Sequence, residues 1–97
     1  MRVIAKKILR DFWQKNSDAE HPLKTWYKKA SYSNWKDPTD IKASFARASI
    51  LKSGRLVFNI RGNKYRLVVD INYRRNWVFI RFIGTHSDYN KIEAEKI

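Results

Sequence analysis

Ninety-seven residues leave room for one core, so a single domain spanning residues 1–97 is expected. The chain has no cysteine, which excludes disulfides and thiolate metal sites, and no apolar run approaches the ~18 residues of a membrane span. Its 21 Lys and Arg against nine Asp and Glu give a net charge of +12, which points to an anionic partner.

The N-terminus has no long apolar stretch of the secretory kind, and the expected location is cytoplasmic. The charge is unevenly spread. Between Lys42 and Ser87 ten basic residues face one acid, Asp70, and they alternate with Val, Ile, Phe and Tyr rather than forming a disordered tail. A folded basic surface of this kind most often meets nucleic acid. The other readings are a solvated positive face, or one neutralised by an acidic protein.

In chain order, Arg2, Val3 and Ile4 make a short opening strand. Residues 5–15 read as a helix, in which Ile4, Ile8 and Phe12 recur at i, i+4 and Leu9 and Trp13 widen the stripe into a core face. Asn16 and Ser17 interrupt it. Ser17 with Glu20 three residues on has the spacing of a capping box, and Pro22 falls in the first turn of the new helix. Leu23, Trp26, Tyr27 and Ala30 give that helix one apolar face, and it ends near Ser31–Ser33. The two helices form an antiparallel hairpin on the sheet. Asp37 and Pro38 then cap a short helix that sets Ile41 and Phe45 one turn apart. Residues 46–54 are a loop with a brief strand at Ile50 and Leu51.

From Arg55 onward the period drops to two. Leu56, Phe58 and Ile60 share a face, and Gly62 with Asn63 makes a tight turn where positive φ is easy. Tyr65, Leu67, Val69 and Ile71 then oppose Arg66, Val68, Asp70 and Asn72. Arg74, Arg75 and Asn76 turn the chain again. Strict alternation in the last strand puts Trp77, Phe79, Arg81 and Ile83 on one face and Val78, Ile80 and Phe82 on the other. Residues 87–91 are a helical turn, followed by a charged, frayed tail. The fold class is α+β, with two N-terminal helices packed on a mainly antiparallel three- to four-stranded sheet.

Two histidines, no cysteine and no clustered carboxylates match no zinc or two-metal nuclease spacing. A nuclease built from these residues would work without metal or cofactor. RNA permits this, because it supplies its own nucleophile, the 2′-OH. The protein then needs an acid–base group, for which histidine is suited. It also needs cations for the charge growing on the phosphate, where the planar fork of arginine fits.

His86, at the end of the last strand, is the candidate acid–base group; on the residues alone it is otherwise a turn histidine bonded to backbone. His21 reads as a surface or capping residue. Tyr89, three residues after His86, points the same way on a helical turn, and either packs, stacks on a base or donates a proton. Arg66 faces the side away from the helices, free for a phosphate or paired with Asp70. Arg61, Lys64, Arg75 and Arg81, with Asn59 and Asn63, are the expected RNA contacts. Each cation is otherwise a solvated charge, and Asn63 a turn residue. Trp13 and Trp26 fall on helix stripes, whereas Trp35 and Trp77 are open to either burial or exposure.

The segments NIRGNKYRLVV and VFIRFIGTH, with a tyrosine three residues after the histidine, resemble the HigB family of bacterial toxins in the RelE/ParE superfamily. The motif resemblance runs from about Phe58 to Ile92. It implies a RelE/ParE-like fold with helices on an antiparallel sheet. It also implies ribosome-dependent, metal-independent mRNA cleavage, restrained by a HigA-like helix-turn-helix antitoxin. By the same resemblance Arg66 contacts the scissile phosphate, and His86 and Tyr89 stand at the family's site positions. Asn63 matches the turn asparagine. Asn90 stands where family members commonly have Asp, and Asn59 where RelE-like enzymes use a lysine. The competing readings are a non-catalytic basic RNA-binding domain and a ParE-like gyrase inhibitor.

Overall fold

The computed structural model describes residues 1–97. In chain order its elements are β1 (Arg2–Ile4), α1 (Lys6–Lys15), a 3-10 turn (Ser17–Ala19), α2 (Glu20–Tyr32), α3 (Pro38–Ser44), β2 (Ser49–Ile50), β3 (Leu56–Ile60), β4 (Tyr65–Asn72), β5 (Trp77–Thr85) and α4 (His86–Asn90).

The expected three to four antiparallel strands are five, in the order β1-β5-β4-β3-β2. The meander β3–β4–β5 is antiparallel as expected, and β2 extends it. β1 makes the sheet mixed, because it lies parallel to β5 with Val3 opposite Val78. A parallel neighbour needs a long crossover, and the intervening helices and meander supply it.

The helix layer covers one face. Leu9 and Trp13 of α1, Leu23, Trp26 and Ala30 of α2, and Ile41 of α3 join Leu56, Phe58, Ile60, Tyr65, Leu67, Val69, Val78 and Ile80 in one buried cluster. The layer is therefore three helices rather than two. Each fully buried aliphatic side chain here contributes about 1.5–3 kcal/mol. Edge-to-face contacts of Trp26 with Phe58 at 5.4 Å and Phe45 with Phe58 at 5.1 Å lock α2 and the end of α3 onto β3. Trp35 is buried in the same cluster. In α1 the stripe is rotated from its expected position: Leu9 and Trp13 carry the burial, while Ile8 is 42% exposed.

The α3 cap forms as read, with Asp37 accepting from the Asp40 N–H at 3.2 Å. The Ser17–Glu20 capping box does not form; the chain passes through the 3-10 turn, and α2 starts without a side-chain cap. Asp18, one of the two residues between Ser17 and Glu20, is engaged elsewhere.

The last strand departs most from strict alternation. A bulge displaces the register so that Val68 faces Phe82 while Val69 faces Ile80, leaving Arg81 as the extra residue. Beyond it the sides are exchanged. Ile83 joins Val78 and Ile80 on the core side, and Phe82 and Gly84 join Trp77 and Phe79 on the far face, with Arg66, Val68 and Asp70.

That far face is partly covered. Val57 and Val68 are buried there, outside the main cluster. The C-terminal segment is fastened nearby rather than frayed: Arg55 donates to the Ala94 carbonyl at 3.0 Å and lies 3.7 Å from Asp70, and the Lys52 N–H meets Glu95 at 2.8 Å. No helix is long and apolar enough to cross a membrane.

Candidate active site

Cross-strand pairing places Arg66, near the start of β4, opposite Gly84, near the end of β5. One residue past β5, α4 begins with His86, so the histidine is carried to a place beside Arg66. The junction is fixed by a capping box: Thr85 Oγ1 accepts from the Asp88 N–H at 3.0 Å, and Asp88 accepts from the Thr85 N–H at 3.4 Å. The His86 N–H donates to the Lys64 carbonyl at 3.0 Å, which ties α4 to the β3–β4 turn.

Arg66 Nη2 lies 3.4 Å from His86 Nδ1, and Nη1 donates to the Asn63 carbonyl at 2.9 Å. A guanidinium carries donors only, so in this contact Nδ1 is the acceptor. The alternative Arg66–Asp70 pair is absent; Asp70 is instead held by Arg55 and, at 3.6 Å, by Arg81. His86 is exposed, and Arg66 and Tyr89 are half-buried.

Tyr89 follows His86 on the same turn of α4, and its ring stands 6.4 Å from that of Phe82, tilted by 52°. Phe82 lies over Gly84: a Cβ there would come within 2.6 Å of the phenyl ring. Glycine at this point makes room for the ring and needs no unusual backbone. Phe82 and Gly84 were not singled out from sequence, because alternation without a bulge assigns Phe82 to the core.

The other expected RNA contacts divide into three places. Asn59 pairs with Arg66 across β3–β4 and so shares its face. Arg61, Lys64 and Asn63 lie in the turn. The residues with positive φ there are Arg61 and Gly62, not Asn63, whose carbonyl serves Arg66. Lys64 and the Tyr65 hydroxyl both bond Asp18, with Arg61 3.6 Å away. Asp18 thus claims two of the cations read as phosphate contacts. Its bond to the Lys64 ammonium, and next that to Tyr65, hold its carboxyl below the ordinary range, and the same Asp18 bond holds Lys64 above its own. The bond to Asp18, then burial, pushes the Tyr65 hydroxyl up. Only the presence of an acid in the short link between α1 and α2 hinted at this in the sequence. Arg75 lies at the opposite end of the β4–β5 hairpin, over Trp77, and Arg81 lies midway along β5, over Phe79. His21 is exposed on α2 and bonds to no residue of the site. Side chains of His, Asp and Glu nowhere gather in threes that could hold a metal ion.

The arrangement offers a donor fork, an imidazole and an aromatic pair at one end of the β4–β5 strand pair. Two curated relatives, the mRNA interferase toxin HigB of Escherichia coli (strain K12) and the mRNA interferase HigB of Shigella flexneri, are similar to this chain. Each is 27% identical over 96 residues, covering 97% of this chain and 92% of its own length. The HigB toxin family model, described as the RelE-like toxic component of a toxin-antitoxin system, matches residues 19–92. That match runs from the 3-10 turn through α4 and takes in every residue of the candidate site, and by it the chain belongs to the HigB toxin family.

Proposed function

We propose that the protein is an mRNA endonuclease toxin that cuts translated mRNA on the ribosome, without metal, by attack of the RNA 2′-OH. The observation that carries the reading is the Arg66 fork 3.4 Å from the exposed His86 Nδ1, where β4 begins and β5 ends. The names of the curated relatives support the substrate. Membership of the family supports a cognate antitoxin, here a HigA-like helix-turn-helix protein.

In the free protein Arg66 occupies the Nδ1 lone pair through a long, weak contact. A scissile phosphate presents a better acceptor to the fork. As Arg66 turns to it, Nδ1 is freed to take the 2′ proton. The 2′ oxygen then bonds to phosphorus as the bond from phosphorus to the 5′ oxygen breaks. Arg66 stabilises the charge on the non-bridging oxygens. The 5′ oxygen leaves with a proton from solvent, and the imidazolium returns its proton to solvent. The products are a 2′,3′-cyclic phosphate and a 5′-hydroxyl. Tyr89 and Phe82 hold the neighbouring base by stacking.

The test is cleavage of a reporter mRNA in a translation extract, with product ends mapped. His86→Ala is expected to slow cutting by about 10²–10⁴-fold, and Arg66→Ala by a comparable factor. If both folded variants cut as fast as the wild type, the site assignment is wrong. Cutting of the same mRNA at equal rate without ribosomes would overturn the dependence on translation.

A further inference from the structure

We propose that the surface around Trp77 and Phe79 is a second single-stranded RNA subsite, which holds the stretch of mRNA flanking the cut. It rests on the endonuclease reading for the identity of the strand, and on its own geometry for the binding.

Three of the four tryptophans are buried in the core, but Trp77 is only half-buried. It lies on the far face, where its ring meets Phe79 edge-on at 5.9 Å. Arg75 lies over the Trp77 ring at 5.3 Å, and Arg81 over Phe79 at 5.7 Å. Arg2 is opposite Trp77 in the parallel β1–β5 register, so it shares this face, and it is exposed. Arg74 lines the adjoining cleft of about 470 Å³ with Asn72 and Phe79.

The electrostatics are one-sided. The acid on this face, Asp70, is matched by Arg55 and Arg81. No carboxylate lies within ion-pair distance of Arg2, Arg74 or Arg75. An aromatic pair flanked by unpaired guanidinium groups is the chemistry that takes a base by stacking and its phosphates by charge.

The bulge connects this surface to the candidate active site. By exchanging sides at Arg81 it puts Trp77, Phe79, Phe82 and Gly84 on one face of β5. From Gly84 to Trp77 the strand runs roughly 23 Å, a distance that one RNA strand crosses in a handful of nucleotides. Arg81 stands between the two aromatic pairs. β1 flanks β5 only at Trp77–Phe79, which leaves the track toward Gly84 uncovered on that side.

The experiment compares a trinucleotide with an octanucleotide of the same core sequence, both labelled and 2′-O-methylated so that they cannot be cut. Anisotropy is measured on the intact protein. The wild type is expected to bind the octanucleotide more tightly than the trinucleotide. Trp77→Ala should remove about tenfold of that gain, while Trp77→Phe keeps most of it. Arg74→Ala with Arg75→Ala should lower the salt slope for the octanucleotide by about one for each charge removed. Circular dichroism confirms the fold of each variant. The proposal is overturned if Trp77→Ala weakens both lengths equally, or neither. Loss of ribosome co-sedimentation with oligonucleotide binding unchanged also overturns it, because the surface would then face ribosomal RNA. Should His86→Ala and Arg66→Ala leave mRNA cleavage intact, the reaction assignment fails. The subsite is then decided by the length comparison alone.

Discussion

Asp18 and Lys64 stand 46 positions apart in the chain and are bonded side chain to side chain. The Lys64 carbonyl also receives the His86 N–H. One carboxylate before α2 therefore anchors the turn on which the site histidine hangs. A carboxyl held below its ordinary value stabilises the fold above about pH 4, and that contribution is lost as pH falls through its folded value. Lys64 and Tyr65 are both held high, so their contributions are present below about pH 10 and lost as pH rises through their folded values. Asp18→Asn is expected to lower the urea midpoint at neutral pH and to flatten its fall below about pH 4. Matching acid limbs in wild type and variant would remove Asp18 from this role.

Arg66 uses its two terminal nitrogens differently, one on the Asn63 carbonyl and one facing His86. A lysine keeps the charge but cannot serve both directions. Arg66→Lys is expected to reduce the cleavage rate about a hundredfold, with a change in stability below about 1 kcal/mol. Rates close to wild type would mean that charge alone suffices at this position.

Gly84 and Phe82 form a unit. Gly84→Ala places a methyl against the phenyl ring, which must swing off the position where it meets Tyr89. Cleavage should weaken, with a small loss of stability. Phe82→Ala removes the obstruction, so the two changes together should cost less than the sum of the two alone. A double-mutant cycle on cleavage measures this coupling, and strict additivity would show that the ring does not transmit the effect.

In the core, Leu67 is fully buried between the helix layer and the sheet. Leu67→Ala is expected to cost about 2–5 kcal/mol in urea denaturation. Val68→Ala tests the opposite face, where a loss of similar kind would show that the side chains buried there also support the fold.

The sequence made the meander, the three main helices and the α3 cap legible because each has a local signature: a period, a proline, a capping side chain. His86 stood out as the acid–base group after the last strand, and Arg66 came forward through the resemblance of its YRL segment to the HigB family. The parallel docking of β1 is set by tertiary packing, and three residues carry no mark of their partner. The bulge at Arg81 has no glycine or proline to announce it, and missing it inverted Phe82 and Ile83. The Asp18 bonds were hidden for a different reason. A single acid near many cations does not reveal which of them it takes, and Ser17–Glu20 offered a local cap that the chain does not use.

The bulge has a consequence for any rearrangement of this strand. β5 changes parity at Arg81, so its two ends follow opposite rules for which positions point inward. A segment moved in from an unbulged strand would match the core at one end only. Joined before Arg81, it would bring the strand's own second half in with its sides reversed. Such a splice would either bury Phe82 and turn Ile83 outward, or recover the pattern by losing a residue. The phase of the strand, as much as any one side chain on it, keeps the aromatic track and the Arg66–His86 pair on a common surface.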